Sequence, residues 1–172
     1  MGYVVQVRTG AELKLAERFR HEIKTEGEDI FVPMYERRKS IRGEWTRVKR
    51  PLFPGYIFFE TEDAESLYFR LKKIDAFNKI LSTGHGEYTP IQTDEEMFLR
   101  ALIGEDYVAQ ESVGVIEGDQ IIVMHGPLKG LEGSIVKINR HKRIAIIRAE
   151  FMGGAREVKV GLEIIDKRPA KT

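Results

Sequence analysis

The 172-residue sequence contains no cysteine, which excludes disulfides and every cysteine-ligated metal site. No apolar run approaches the roughly 18 residues that would cross a bilayer as a helix. The first ten residues, MGYVVQVRTG, lack a basic stretch leading into an apolar one and so do not read as a signal peptide. Gln6 also stands where an N-myristoylation motif wants Ser or Thr. The four histidines, His21, His85, His125 and His141, form neither an HxxxH nor an HExxH pattern. There is no GxSxG elbow, GPLKG misses the spacing of a P-loop, and STGHGEY lacks the third glycine and the helix of a dinucleotide loop. The carboxylates of TDEEM are more simply the favourable acids of a helix first turn. The expectation is a cytoplasmic monomer that is not an enzyme, holds no metal or cofactor, and does not bind a membrane.

What is present suits a globular protein: 42% of residues are hydrophobic and 32% charged. A net charge of +1 hides an asymmetry. Residues 1–112 carry 17 Lys/Arg against 20 Asp/Glu, whereas residues 113–168 carry 10 against 7. The stretch KINRHKRIAIIR, 137–148, holds five basic residues and a histidine with no acid. Such imbalance points to different partners for the two halves.

The periodicity predicts an α+β chain of two domains. YVVQV (3–7) reads as a buried strand and TGAELKLAERFRHEIKTEG as a helix, capped by Thr9 and closed by Gly27, with Leu13, Ala16, Phe19, Arg20 and Ile23 at helical spacing. DIFVPMYERRKSIRGEWTRVKRPLFPGYIFFETE reads as a long hairpin turning at IRGEW. DAESLYFRLKKI is a second helix, capped by Asp63 or Ser66, with Leu67, Phe69, Leu71 and Ile74 as its apolar candidates. FNKILSTG supplies another strand, and TDEEMFLRALIG a third helix with Thr93 and Glu96 at capping-box spacing. The order β-α-β-β-α-β is the ferredoxin-like plan, an antiparallel sheet with helices on one face. It covers 1–104; a linker follows over 105–113. Four β-branched stretches then end near residue 168, and with their Gly-rich punctuation they predict a small five-stranded β-barrel over 114–168.

Three groups of residues carry candidate function. Phe53 and Tyr56 flank the Pro-Gly step of RPLFPGYIFFE, where Gly55 permits a close backbone approach; core and docking readings stand equally open for them, while Phe58 and Phe59 read as core. The hairpin ERRKSIRGEWTRVKR places seven basic residues around Trp45. It is either a solvated tip or a contact for nucleic-acid phosphates. The turn Asn139-Arg140-His141-Lys142-Arg143 gathers cations that repel one another where Asn and Gly would serve better, and this local cost suggests a polyanion. Lys129, Lys137 and Arg148 would extend that turn into a basic surface.

YVVQVRTGAE, RPLFPGYIFFE and GDQIIVMHGPLKGLEGSIVKI together resemble the NusG/Spt5 transcription elongation factors along nearly the whole chain. The resemblance implies an N-terminal NGN domain and a C-terminal KOW domain. It implies that the NGN domain grips the clamp helices of RNA polymerase through an apolar pocket, whose matching residues are Phe53 and Tyr56 with Tyr3 on the adjacent strand. LKGLEGSIVKINRHKRIAIIRAEFMGG is most similar to the LoaP antiterminator subfamily. That likeness implies that the KOW domain binds a structured RNA hairpin in a leader transcript, through Lys129, Lys137, Arg140, His141, Lys142, Arg143 and Arg148. The basic hairpin 37–50 would then meet DNA in the elongation complex. The alternative is a housekeeping NusG whose KOW domain binds ribosomal or termination proteins.

Overall fold

The computed structural model describes residues 2–82 and 87–171; His85 and the glycines beside it lie outside the described residues. In chain order the elements are β1 (Gly2–Val7), α1 (Glu12–Glu22), β2 (Asp29–Phe31), β3 (Met34–Ile41), β4 (Glu44–Pro51), β5 (Tyr56–Glu60), α2 (Ala64–Leu71), β6 (Asn78–Ile80) and α3 (Thr93–Ile103). There follow β7 (Val108–Ala109), β8 (Ser112–Glu117), β9 (Gln120–His125), a 3-10 turn (Glu132–Ser134), β10 (Ile135–Asn139), β11 (Ile144–Phe151) and β12 (Gly154–Arg168). Among the described residues no helix is long and apolar enough to cross a membrane.

The chain forms two compact units, one of Met1–Pro33 with Phe53–Glu96, the other of Met34–Leu52 with Met97–Thr172. In the first unit the sheet order is β2-β5-β1-β6, with every pair antiparallel. That is the strand order of the β-α-β-β-α-β plan. Alternation puts Tyr3, Val5, Ile57 and Phe59 on one face and Val4, Tyr56 and Phe58 on the other. Phe19 of α1 packs on Phe59 at 5.6 Å between ring centroids, so the first face is the one α1 covers.

Two helix details depart from the sequence expectation. Thr9 does not cap α1: Ala11 stands at the N-cap with no side-chain bond, and Glu12 turns its carboxylate back to the Gly10 N–H at 2.5 Å. The buried stripe is Leu15, Ala16 and Phe19, leaving Leu13 exposed. In α2, Asp63 is the cap, accepting from the Ser66 N–H at 2.9 Å, and Leu67 and Leu71 are buried while Phe69 is not. A helix turns 100° per residue, so Leu67 and Leu71 share a stripe that Phe69 cannot join.

In the second unit, β3 and β4 make a hairpin closed by Arg42 and Gly43, both at positive φ, and β7 adds parallel to β3. The remaining strands form one sheet in the order β10-β11-β12-β8-β9. Its length lets β12 serve two partners: residues 154–161 pair with β11 and residues 162–168 with β8, across a bulge near Ile165. The expected barrel is not closed. Strands β9 and β10 are the two edges, and the 3-10 turn lies between them in sequence. The Val123 N–H of β9 donates to the Glu132 carboxylate at 3.2 Å, so a side chain of that turn takes a bond a closing strand would have accepted.

Candidate functional site

The opening motif of the first unit is fixed by its own chain. Gly55 has φ +88, and a Cβ there would sit 3.1 Å from Thr9 Oγ1 and 3.4 Å from the Val7 carbonyl. The Val7 N–H donates to the Gly55 carbonyl at 2.7 Å, and the Gly55 N–H donates to the buried Glu12 carboxylate at 3.0 Å. The close approach that the glycine permits is therefore to β1 and the start of α1. A turn bond from Tyr56 N–H to the Phe53 carbonyl, 3.2 Å, then launches β5.

These constraints bring Phe53 and Tyr56 together. Phe53 is buried against Phe58 at 5.7 Å, Phe58 stacks on Phe31 at 5.7 Å, and Tyr56 is half-buried on the same face of β5. Tyr3 does not join them. It lies opposite Phe59 and so faces the α1 side of the sheet, buried.

One charged cluster in this unit escapes a reading of the sequence. Arg70 of α2 meets both oxygens of Glu28, at 2.8 and 2.7 Å, and donates to the Ile23 carbonyl. Thr61 Oγ1 and the Thr25 N–H also donate to Glu28, at 2.6 and 2.8 Å. Burial would raise the Glu28 carboxyl, but the bonds from Arg70, Thr61 and Thr25 outweigh it and lower it from an ordinary 4.5 to about 2. The clasp ties the end of α1 to α2 and the end of β5. Its members are 33 and 42 residues apart, a spacing no local motif signals.

In the second unit the cationic turn is built by its first and last residues. Asn139 Oδ1 accepts from the Lys142 N–H at 2.9 Å, and the Arg143 N–H donates to the Arg140 carbonyl at 3.3 Å. Arg143 takes φ +55, a left-handed conformation that favours glycine. Its guanidinium lies 3.7 Å over the Trp45 ring and 3.6 Å from Glu163, with a side chain only 17% exposed. Arg37 Nη1 donates to the Lys142 carbonyl at 3.0 Å, while Arg37 Nε is buried with no partner among the described residues. Gly161 of β12 abuts β3 so closely that a Cβ would lie 2.2 Å from the Glu36 carbonyl. The hairpin and the turn are thus packed together.

The seven candidate cations are not equivalent. Arg140, His141 and Lys142 are exposed on the turn, and among the described residues none of them has a carboxylate partner. Lys137 of β10 and Arg148 of β11 share the outer face of the sheet, since Lys137 lies opposite Ile146, two residues before Arg148. Arg148 pairs with Glu157 at 2.9 Å on that face. Lys129 lies apart in sequence, in the loop before the 3-10 turn, where its charge helps lower the Glu132 carboxyl; backbone bonds to Glu132 do most of this and burial opposes it. Arg143 is engaged by Trp45 and Glu163. Sequence reading noted Trp45 but gave no sign of its contact with Arg143, because 98 residues separate the two. Among the described residues no cluster of His, Asp and Glu could hold a metal ion.

Residues 3–99 match the family model described as transcription termination factor nusG, and residues 117–148 match the KOW motif. The chain is 21% identical over 170 residues to the transcription termination/antitermination protein NusG of Rickettsia typhi, covering 96% of this chain and 88% of that protein. It is 23% identical over 170 residues to the protein of the same name from Lactococcus lactis subsp. lactis, covering 95% and 91%. The counterpart in Thermus thermophilus is 23% identical over 175 residues, with 94% of each chain covered.

Proposed function

Because the chain belongs to the NusG family of transcription termination and antitermination factors, we propose that it is a LoaP-type antiterminator, holding RNA polymerase through its N-terminal unit and a structured leader RNA through its C-terminal one. Phe53 and Tyr56 are the polymerase contacts in this reading, and the buried Tyr3 supports their strand from the opposite face. Bound at the clamp helices, the protein would suppress pausing and let transcripts run through terminators. The observation that carries the RNA assignment is the exposed run Arg140, His141 and Lys142, two cations and an imidazole without carboxylate partners among the described residues, on a turn that costs energy to form. Arginine and His141 would reach base edges or stack on unpaired bases, and lysines would position the phosphates.

A gel shift tests the RNA half. Full-length protein should bind a structured leader RNA more tightly than unrelated RNA, and Arg140→Ala with Lys142→Ala should abolish that preference. Equal loss on both RNAs would reduce the turn to a non-specific polycation. For the polymerase half, Tyr56→Ala should weaken pull-down by about 2 kcal/mol, the usual cost of truncating an aromatic anchor. Unchanged pull-down by a folded variant would remove Tyr56 from the interface.

The second reading, a general NusG whose C-terminal unit binds proteins, fits the comparisons at least as well. One structural observation favours it: Ile122 and Met124 of β9, Val136 of β10 and Ile165 of β12 are apolar and exposed. Under that reading Met124→Lys would disrupt a protein partner and leave RNA affinity untouched.

A further inference from the structure

We infer that the β3–β4 hairpin and the 140–143 turn are two parts of one surface for the phosphates of a base-paired RNA stem. This inference rests on the RNA assignment above and extends the RNA footprint to Arg38 and Arg47. Arg38 lies directly opposite Arg47 in the hairpin register. Both are exposed, and among the described residues neither guanidinium forms an ion pair, although the Arg38 backbone N–H donates to the Glu111 carboxylate at 2.9 Å. Like charges directly opposite across an antiparallel pair destabilise it. An anion lying across the two strands would remove the repulsion that remains between them.

The register also says what lies next to the pair. Two residues along each strand, roughly 7 Å away, Ser40 opposes Trp45, so Trp45 shares the face of Arg38 and Arg47. On that face Arg143 lies 3.7 Å over the Trp45 ring, while Arg37, which leaves β3 on the other face, ties the strand to the turn through the Lys142 carbonyl at 3.0 Å. The cationic pair on the hairpin and the exposed Arg140, His141 and Lys142 therefore adjoin the same contact. The backbone that carries them is held against the hairpin before any ligand arrives.

The same contact selects the kind of nucleic acid. Recognition of single strands depends on open aromatic faces on which bases stack. One face of Trp45, the sole tryptophan, is already covered by a guanidinium. What the surface offers is cations on two segments held side by side, which suits the regular phosphate rows of a stem.

Full-length protein is titrated with the structured leader RNA, an unpaired RNA of equal length and a DNA duplex, at several salt concentrations. Arg38→Ala with Arg47→Ala should weaken stem binding about tenfold at low salt and make the log–log salt slope shallower by about 1.8, or ~0.9 for each lost phosphate contact. Circular dichroism establishes that the exposed double variant is folded. If the turn variants Arg140→Ala and Lys142→Ala weaken stem binding and the hairpin variants do not, the shared surface is wrong and the RNA assignment of the turn stands. If neither set changes stem binding, the RNA assignment itself fails, and this inference with it. A hairpin double variant that loses affinity for the DNA duplex but not for the stem assigns the hairpin to DNA and overturns the proposal.

Discussion

The Glu28–Arg70 clasp and the 140–143 turn use the same residue types to opposite ends. At the clasp a carboxylate and a guanidinium are paired through two bonds, largely out of water, and Thr61 and Thr25 fill the carboxylate's remaining sites. At the turn three exposed side chains that carry or can carry positive charge stand without a carboxylate among the described residues, and only the fourth, Arg143, is engaged. Satisfied charge in the interior holds elements in place; unsatisfied charge on a surface is available to a ligand. Variants that break one region or the other should therefore separate stability from binding.

The largest effect should come from Glu28→Gln. The change removes the carboxylate's charge and leaves Arg70 half-buried facing a neutral amide, and breaking a buried pair typically costs about 3–5 kcal/mol. Urea unfolding at neutral pH should show a loss on the order of 3 kcal/mol with nucleic-acid affinity unchanged. The pH dependence has a definite sign. Glu28 is lowered from 4.5 to about 2 in the folded protein, so its stabilisation is complete above about pH 4.5 and is lost as pH falls through the window between 4.5 and 2. Wild-type stability should fall steeply across that window and Glu28→Gln stability should fall less. Parallel acid profiles would show that the clasp adds nothing.

A smaller effect is expected at Gly55, where the two units differ in backbone chemistry. Gly55 and Arg143 both take positive φ, at +88 and +55. The first position is also crowded, by Thr9 and the Val7 carbonyl. Gly55→Ala should cost about 1–3 kcal/mol from the φ strain, with the crowding added. It should also lower polymerase binding, because the displaced step carries Phe53 and Tyr56. A variant that unfolds at the wild-type urea concentration would mean that the Pro-Gly corner tolerates a Cβ.

The contrast also explains how far the sequence could be read. The βαββαβ order follows from alternation and from Gly and Pro punctuation, and the turn at Arg42–Gly43 from its glycine. The stripe of α2 was legible except for Phe69, an apolar residue at a position that geometry leaves outside. What stayed hidden depends on long-range pairing. Periodicity shows that Tyr3 and Val5 share a face, but only the register with β5 separates Tyr3 from Tyr56. The open edge between β9 and β10 depends on Glu132 meeting Val123, which strand composition does not encode. The contact of Trp45 with Arg143 joins two segments that each looked solvated by themselves.

The smallest effect, and the sharpest test of the turn, compares Arg143→Gly with Arg143→Ala. Both lose the Trp45 contact, worth about 0.5–2 kcal/mol for a largely buried guanidinium, and the 3.6 Å approach to Glu163, worth ~1 kcal/mol. They differ in backbone strain. Glycine adopts φ +55 without penalty, whereas alanine keeps a left-handed conformation that costs about 1–2 kcal/mol. Glycine also gives back part of that gain through the greater freedom of its unfolded chain, roughly 0.5–1 kcal/mol. Arg143→Gly should therefore be the more stable of the two by up to about 1.5 kcal/mol. Stem RNA should bind both variants equally weakly, because either change uncouples the turn from the hairpin without removing Arg140 or Lys142. If Arg143→Gly were instead the less stable variant, relief of the left-handed backbone would not be the term that separates them. If both kept wild-type RNA affinity, Trp45 and Arg143 would be a packing contact with no part in aligning the cations.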